Sequence, residues 1–586
     1  MNKKFLSLLA LFFILPLIYM QFKYGGTEIK QYIFPLLSYG IIVYGSNFFD
    51  KKYYVKVVSV LLIAFCSIFV VIAFTDQIMP FLEKDYLVYV AFAISIANLL
   101  ILSKQIFGGG GRAYLLFGII LFISLVPIIL LWLYYFSANA WLSVESCMAI
   151  LQTNPSEAEN YISDHISYVA VCGLSIMIVY IGYMYRIIRR IKLKTLSRKM
   201  VWSLIFFTIL NVAFAFRTRE NIVTNIIYDT KIYAASYQEY ANAREERKKN
   251  LECLGEQIKQ GKDGVYILVI GESATRDHMG CYGYFRQNTP WMSSMQEQPG
   301  YVQLNKAWSC ANDTVSALTY ALTSKNQYNT EELKNAVSIV DVANAAGYDT
   351  VWLSNQVQYG LADTPITTIA SEAKQQIWLH DKVGHLKDGR YLDLPDYYDE
   401  KLIPAMDNIQ VSSRMLIVIH LMGSHNSYKV RYPDKYDFYK SGDISSDTNE
   451  YDNSIMYTDA VLKSIYEKAL EMPDFKMMLY FSDHGEGIDA HVGHDSNKYT
   501  AQMTRIPMVI CMSSKYMENE ADKYNVIKNV SDKYFTNDLI FDVMLDLMSI
   551  EAGEYVDEKN IIFSEKYDNS AQRFKTSYGK REISEE

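Results

Sequence analysis

Residues 265–290 read VYILVIGESATRDHMGCYGYFRQNTP. The run 265–270 is apolar or aromatic and rich in β-branched side chains, the pattern of a strand buried on both faces. It stops at Gly271, and a carboxylate, Glu272, follows at once. Open α/β sheets gather their ligands just past the C-terminal ends of buried strands, so Glu272 stands where a ligand would be held. Alone, it could equally be an acidic residue opening a loop. A second strand end of the same kind weighs against that: KMMLYFS at 476–482 runs directly into Asp483-His484-Gly485-Glu486. A buried strand gains nothing from ending in Asp-His unless something pairs with them, and a carboxylate beside an imidazole can face one cation.

Around these two strands the second half of the chain alternates short apolar runs with longer mixed segments. TVWLS (350–354), MLIVIHL (415–421) and PMVICM (507–512) are further strands, while SIVDVANAAG (338–347), TDAVLKSIYEKALEM (458–472) and TNDLIFDVMLDLMSI (536–550) read as helices. Such alternation predicts an α/β/α sandwich around a mostly parallel sheet. The stretch 375–410 gives no clear pattern, and the tail after Tyr567 is polar.

The first half is different. Apolar stretches at 5–22, 32–49, 57–74, 86–102, 113–136, 168–185 and 200–216 each approach the ~20 residues a helix needs to cross a bilayer. The domain plan is therefore 1–216, an α-helical transmembrane domain of about seven helices; 217–262, a charged helical connector; and 263–586, a catalytic domain. Lys and Arg crowd one side of this arrangement, most densely Arg186, Arg189, Arg190, Lys192, Lys194, Arg198 and Lys199 before the last stretch. The positive-inside rule then places the N-terminus in the cytoplasm and everything after Phe216 outside. With 50% hydrophobic residues and a net charge of −8, the chain is not a nucleic-acid binder, which would need a basic face. Its 7 cysteines show no CxxC pair and no zinc-finger spacing.

The chain has 9 histidines, and those at 420, 425, 484, 491 and 494 fall at strand ends or just after them. Imidazoles with carboxylates and no cysteine pair suit Zn²⁺ or Mn²⁺. His420 closes its strand rather than opening the loop, which also suits a core histidine. A metal lowers the pKa of a hydroxyl placed on it. SCANDTVSALTYALT (309–323) offers Thr314 where a helix begins, among free N–H groups that favour a phosphate. Local sequence favours Thr314 as the cap of that helix, and Ser273 is the rival nucleophile.

With these residues assembled, the chain resembles the bacterial cell-envelope phosphoethanolamine transferases of the alkaline phosphatase/sulfatase superfamily. The resemblance runs through VIGESATRDHMGCYGY, GYDTVWLSNQ (347–356), IHLMGSHNSYKVRYP (419–433), YDNSIMYTD (451–459) and FSDHGEG (481–487). It implies that Glu272, Thr314, Asp483 and His484 hold a catalytic zinc, and that Thr314 is the nucleophile carrying phosphoethanolamine. It implies that His425 contacts the phosphoryl group or a second metal, and that the last family histidine is His494 or His491, with His494 better placed. Asn154 and Glu157, in a loop similar to the family's extracytoplasmic one, are candidates for contacts with the lipid donor. The donor implied is phosphatidylethanolamine, the acceptor an envelope glycolipid such as lipid A or lipopolysaccharide core, and the location the bacterial inner membrane with the catalytic domain periplasmic. Two departures stand out: the family usually has five spans, and Cys310 lacks the partner about ten residues on that often closes the nucleophile loop. A sulfatase would need a C/S-x-P-x-R element, absent around Thr314. A phosphoglycerol transferase shares the metal set and the layout, and an inactive membrane scaffold or sensor is the reading from another class.

Overall fold

A computed structural model describes residues 56–65, 83–107, 111–138, 147, 168–190, 197–217, 222–254, 258–357, 365–380, 398–440, 444–494, 499–577 and 579–583. The chain divides into two compact units, with the described residues up to Lys231 in one and those from Ile232 in the other.

The first unit is helical. Helices α1 (Glu83–Ile106), α2 (Gly111–Ala138), α3 (Tyr168–Arg189) and α4 (Arg198–Arg217) each cover one of the apolar stretches read from the sequence. The two N-terminal stretches lie outside the described residues, as does the loop with Asn154 and Glu157. Counting described residues only, no helix is long and apolar enough to cross a membrane. The expected connector is helical at α5 (Ile222–Asn242) and α6 (Arg244–Leu254).

The second unit is built on a 7-stranded sheet. Its strands are β1 (Gly264–Gly271), β2 (Tyr301–Gln303), β3 (Asp349–Val357), β4 (Gln375–His380), β5 (Arg414–His420), β6 (Phe475–Ser482) and β7 (Met508–Met512). The spatial order is β2-β7-β6-β1-β5-β3-β4. β1 lies at the centre, parallel to β5 and β6, and β3 is parallel to β4 and β5. β7 runs antiparallel to both its neighbours, so the sheet is mixed. β4 falls in the stretch that gave no sequence pattern: its QQIWLH mixes polar and apolar residues because it is an edge strand only half covered, with Trp378 against one core and Ile377 and Leu379 against the other.

Every residue of β1 is buried. Alternate side chains enter two separate cores: Tyr266, Leu268 and Ile270 on one face, Val265, Ile267 and Val269 on the other. The first face packs under α8 (Ile339–Ala345), α9 (Pro365–Glu372) and α11 (Ile540–Leu547), the second under α10 (Ser446–Leu470). Cover on both faces is why the central strands read as unbroken apolar runs. Between β2 and β3 the chain forms α7 (Thr314–Ala321).

Candidate active site

Register brings the two informative strand ends together. Gly271 of β1 pairs with Ser482 of β6, so the next residues, Glu272 and Asp483, emerge side by side. Both are buried, and His484 with them. α7 brings the hydroxyl. Asp313 is its N-cap, accepting the Ser316 N–H, so the cap is not Thr314. Thr314 is thereby left at the first helical position with its Oγ1 turned to the cluster, donating to Glu272 Oε2 at 3.1 Å and lying 3.4 Å from His484 Nε2.

The hydrogen bonds assign the proton positions. His484 Nδ1 lies 2.8 Å from the Gly485 carbonyl, which can only accept. Nδ1 therefore carries the hydrogen, and Nε2 presents a lone pair 3.4 Å from Glu272 Oε1 and 3.6 Å from Asp483 Oδ2. Asp483 Oδ1 accepts from the backbone N–H of Ser273 and of His484, while buried Oδ2 has no hydrogen-bond partner. Two carboxylates and an imidazole lone pair thus converge within 4.8 Å of one another, with the hydroxyls of Thr314 and Ser273 as the side-chain donors that meet Glu272. Burial, and then the charge of Asp483, pushes Glu272 up to about 8, and burial pushes Asp483 up to about 6. Burial also holds His484 below the ordinary histidine range. Without a cation the cluster resists ionisation; a divalent metal reverses that. The donor set fits such a metal.

Two further histidines line up beside it. His494 lies 4.8 Å from His484, ring to ring, and Glu486 Oε2 holds its Nδ1 at 2.9 Å. Burial opposes a charge on His494, but Glu486, with Glu272 and Asp483 behind it, outweighs burial and raises it to about 9. His425 lies 6.2 Å beyond His494. Arg431 Nη2 approaches its Nδ1 at 3.3 Å, and a guanidinium only donates, so the hydrogen of His425 sits on Nε2. Burial and the Arg431 charge keep it neutral, well below the ordinary range.

The alternatives left open by the sequence separate here. His491 is exposed, in a left-handed turn with φ 52°, away from the ring stack that His494 joins. The Ser273 hydroxyl donates to Glu272 Oε1 at 2.7 Å and so orients a carboxylate. His420 is buried edge-on against Trp352, and burial lowers it to about 3, so it is a neutral core residue. Cys281, Cys310 and Cys511 are buried free thiols.

Sequence reasoning missed Glu486, which is fully buried between His494 and the Tyr428 hydroxyl. Its place two residues after His484 was the available signal. It also missed Asp399, which accepts the backbone N–H groups of Met422 and Gly423 and so holds the loop of His425. Nothing local marks Asp399, because its partners are distant in sequence.

Residues 265–550 match the family model described as Sulfatase. This half of the chain is similar to phosphoethanolamine transferase EptC of Escherichia coli (strain K12), at 26% identity over 313 residues, 50% of this chain and 52% of that protein. It is also similar to phosphoethanolamine transferase OpgE of the same organism, at 32% identity over 257 residues, 42% of this chain and 45% of that protein. The chain thus spans about half the length of the curated relatives it matches. In fold, the chain resembles the integral membrane protein lipooligosaccharide phosphoethanolamine transferase A from Neisseria meningitidis. The TM-score is 0.57 at 18% identity, over 87% of this chain and 96% of that one.

Proposed function

We propose that the chain is a zinc-dependent phosphoethanolamine transferase. It moves phosphoethanolamine from phosphatidylethanolamine to an envelope glycolipid such as lipid A or lipopolysaccharide core, through a covalent intermediate on Thr314. The observation that carries this reading is the Thr314 hydroxyl at the start of α7, between Glu272 and His484 in a buried cluster of carboxylates and imidazole. The names of the similar proteins supply the transferred group.

Glu272, Asp483, His484 and Thr314 hold the metal, and carboxylate, imidazole and hydroxyl donors without thiolate suit zinc, with manganese the alternative. Zinc there supplies a lowered hydroxyl pKa and positive charge against the phosphoryl oxygens. Thr314 Oγ1 attacks the phosphorus of the donor diester, and its proton leaves toward Glu272, the acceptor of its hydrogen bond. The bond from phosphorus to diacylglycerol breaks, and His494, charged at neutral pH, gives the departing oxygen its proton. His425 Nε2–H donates to a phosphoryl oxygen. In the second half the acceptor hydroxyl or phosphate attacks, His494 takes any proton the acceptor loses, the bond from phosphorus to Thr314 breaks, and the Thr314 oxygen takes back its proton from Glu272. Both substrates are lipids, which gives the apolar first half its purpose: residues 1–216 span the bacterial inner membrane about seven times, and the catalytic domain stands on the periplasmic side. Asn154 and Glu157 meet the donor in the loop between spans.

Incubation of the intact chain with fluorescent phosphatidylethanolamine tests this. Diacylglycerol formation with a phosphoethanolamine mass on the Thr314 peptide, both lost in Thr314→Ala, is expected. Turnover that survives Thr314→Ala removes Thr314 as nucleophile, and acceptance of phosphatidylglycerol in place of phosphatidylethanolamine shifts the reading to phosphoglycerol transfer.

A further inference from the structure

His278 lies outside the cluster and has no part in the chemistry above, yet it is among the most completely partnered buried groups of the domain. It ends a 3-10 turn, Arg276–His278, shortly after Glu272. Its Nδ1 is 2.9 Å from Asp452 Oδ1 and its Nε2 is 3.1 Å from Asp489 Oδ1. Asp452 belongs to α10, and its Oδ2 already accepts from Arg286 Nη1 at 2.6 Å and the Tyr284 hydroxyl at 2.9 Å. Asp489 Oδ2 accepts from Gln502 Nε2 at 2.7 Å. An imidazole facing a carboxylate oxygen at each nitrogen makes both bonds only when both nitrogens carry hydrogen. The ring is also boxed by Tyr284, 4.6 Å away, and Tyr451, 5.6 Å away. These are the charged and titratable groups that face it; Asp277, next to it in sequence, turns instead to Arg505.

What the ring joins matters more than the ring. Asp489 stands at the tip of a small loop that closes on itself: Gly487 N–H donates to Gly493 O at 2.7 Å and Val492 N–H to Gly487 O at 3.1 Å. His494 follows at its base. A loop tied at its neck moves as a unit, so an anchor at the tip acts on the base. The other end of the anchor is α10, which is itself fixed to the Glu272 turn: the Tyr451 hydroxyl donates to Ser273 O at 2.7 Å and accepts the Thr275 N–H at 2.9 Å.

We propose that His278 is a positioning residue: a doubly hydrogen-bonded cation that locks the Gly487–Gly493 loop, and with it His494, to α10 and the Glu272 turn. One end of the lock is buried and the other open, since the Asp452 side chain is 0% exposed and that of Asp489 72%. Loss of one proton therefore breaks the bond to Asp489 first, because Asp489 has water to turn to and Asp452 does not. Burial disfavours the charged ring, but Asp452 and Asp489 outweigh it and hold His278 above the ordinary histidine range. The lock is thus closed on the acid side of that raised titration and opens as pH climbs through it.

That His494 serves catalysis rests on the function proposed above; the lock itself does not, and the two are tested apart. Hydrogen exchange of the intact zinc-loaded chain in detergent, followed by mass spectrometry on the 487–494 peptide, reads the lock with no substrate present. Protection factors, corrected for the intrinsic pH effect, are expected to fall about tenfold or more between pH 6 and pH 9 in the unaltered chain. They are expected to be low at both pH values in Asp489→Ala and His278→Gln. Gln502→Ala, which removes the two other hydrogen bonds to Asp489 and leaves the His278 contact, is expected to lower protection at both pH values and keep the step. A step that persists in both lock variants belongs to His494 and Glu486 and overturns the proposal, as does unaltered protection in Asp489→Ala. In turnover, both lock variants are expected to lower kcat at unchanged zinc content and to lose the alkaline limb of the pH profile. If the intact chain transfers no phosphoethanolamine, the proposed function fails while the exchange result still decides the lock.

Discussion

A single residue decides what Thr314 can do, and it is the residue before it. Because Asp313 caps α7, the Thr314 hydroxyl is spared for the cluster. Asp313→Ala removes a cap, at a cost of about 1 kcal/mol, and leaves a residue free to fall back into the capping role. Thermal melting is expected to show a drop of a few degrees and single-turnover kinetics a slower first half-reaction, with Asp313→Asn, an equally good cap, close to the unaltered chain on both. Glu272 carries a second prediction. Its carboxyl is raised in the folded, metal-free chain to about 8, against an ordinary value of about 4.3. A raised folded value means that its contribution to stability is fully present below pH ~4 and is lost as pH climbs through 8. After metal removal, the unaltered chain is therefore expected to melt lower at pH 8.5 than at pH 5 by a larger margin than Glu272→Gln, which has no such proton. Zinc is expected to restore the unaltered chain at pH 8.5 and to do little for the variant. Parallel pH curves for the two metal-free proteins would remove Glu272 as a buried titrating ligand.

At the scale of elements, the site is three strand ends and one helix start held in step by backbone contacts. β1 and β6 end level through parallel register. The loop after β5 is pressed onto the end of β1: Ser424 N–H donates to Glu272 O at 3.0 Å, and Gly423 adopts φ +52° where a Cβ would stand 2.8 Å from that same oxygen. No side chain fits there without moving Glu272 or the loop that carries His425. Gly423→Ala is therefore expected to reduce phosphoethanolamine turnover at least tenfold, since a displacement of about 1 Å in a reacting group can cost a hundredfold, while Gly182→Ala, at an open position within helix α3, leaves turnover within twofold. Equal effects of the two substitutions would show that the Gly423 approach does not position the site.

For the whole molecule, the division near Ile232 predicts a separation of tasks. A chain of residues 232–586 is expected to melt cooperatively, retain zinc and form the Thr314 adduct from a short-chain, water-soluble phosphatidylethanolamine, yet to transfer little between lipids embedded in vesicles. Efficient vesicle transfer by that half alone would deny the first half its role in presenting lipids. The amino-acid sequence alone determined the strands β1, β3, β5, β6 and β7, the apolar character of the first half, and the placing of Glu272, Asp483 and His484 at two strand ends, because burial on both faces and the residue types themselves leave local marks. It did not mark β4, whose edge position removes the apolar run, nor the antiparallel direction of β7, since a buried strand reads alike in either direction. Nor could it choose between His491 and His494, free Ser273 from suspicion, or find Asp399 and the His278 lock. Those depend on which groups meet across long stretches of chain, as Glu272 meets Asp483, and on which donor each lone pair faces. Only the packed sheet, its register and the hydrogen bonds they impose decide that.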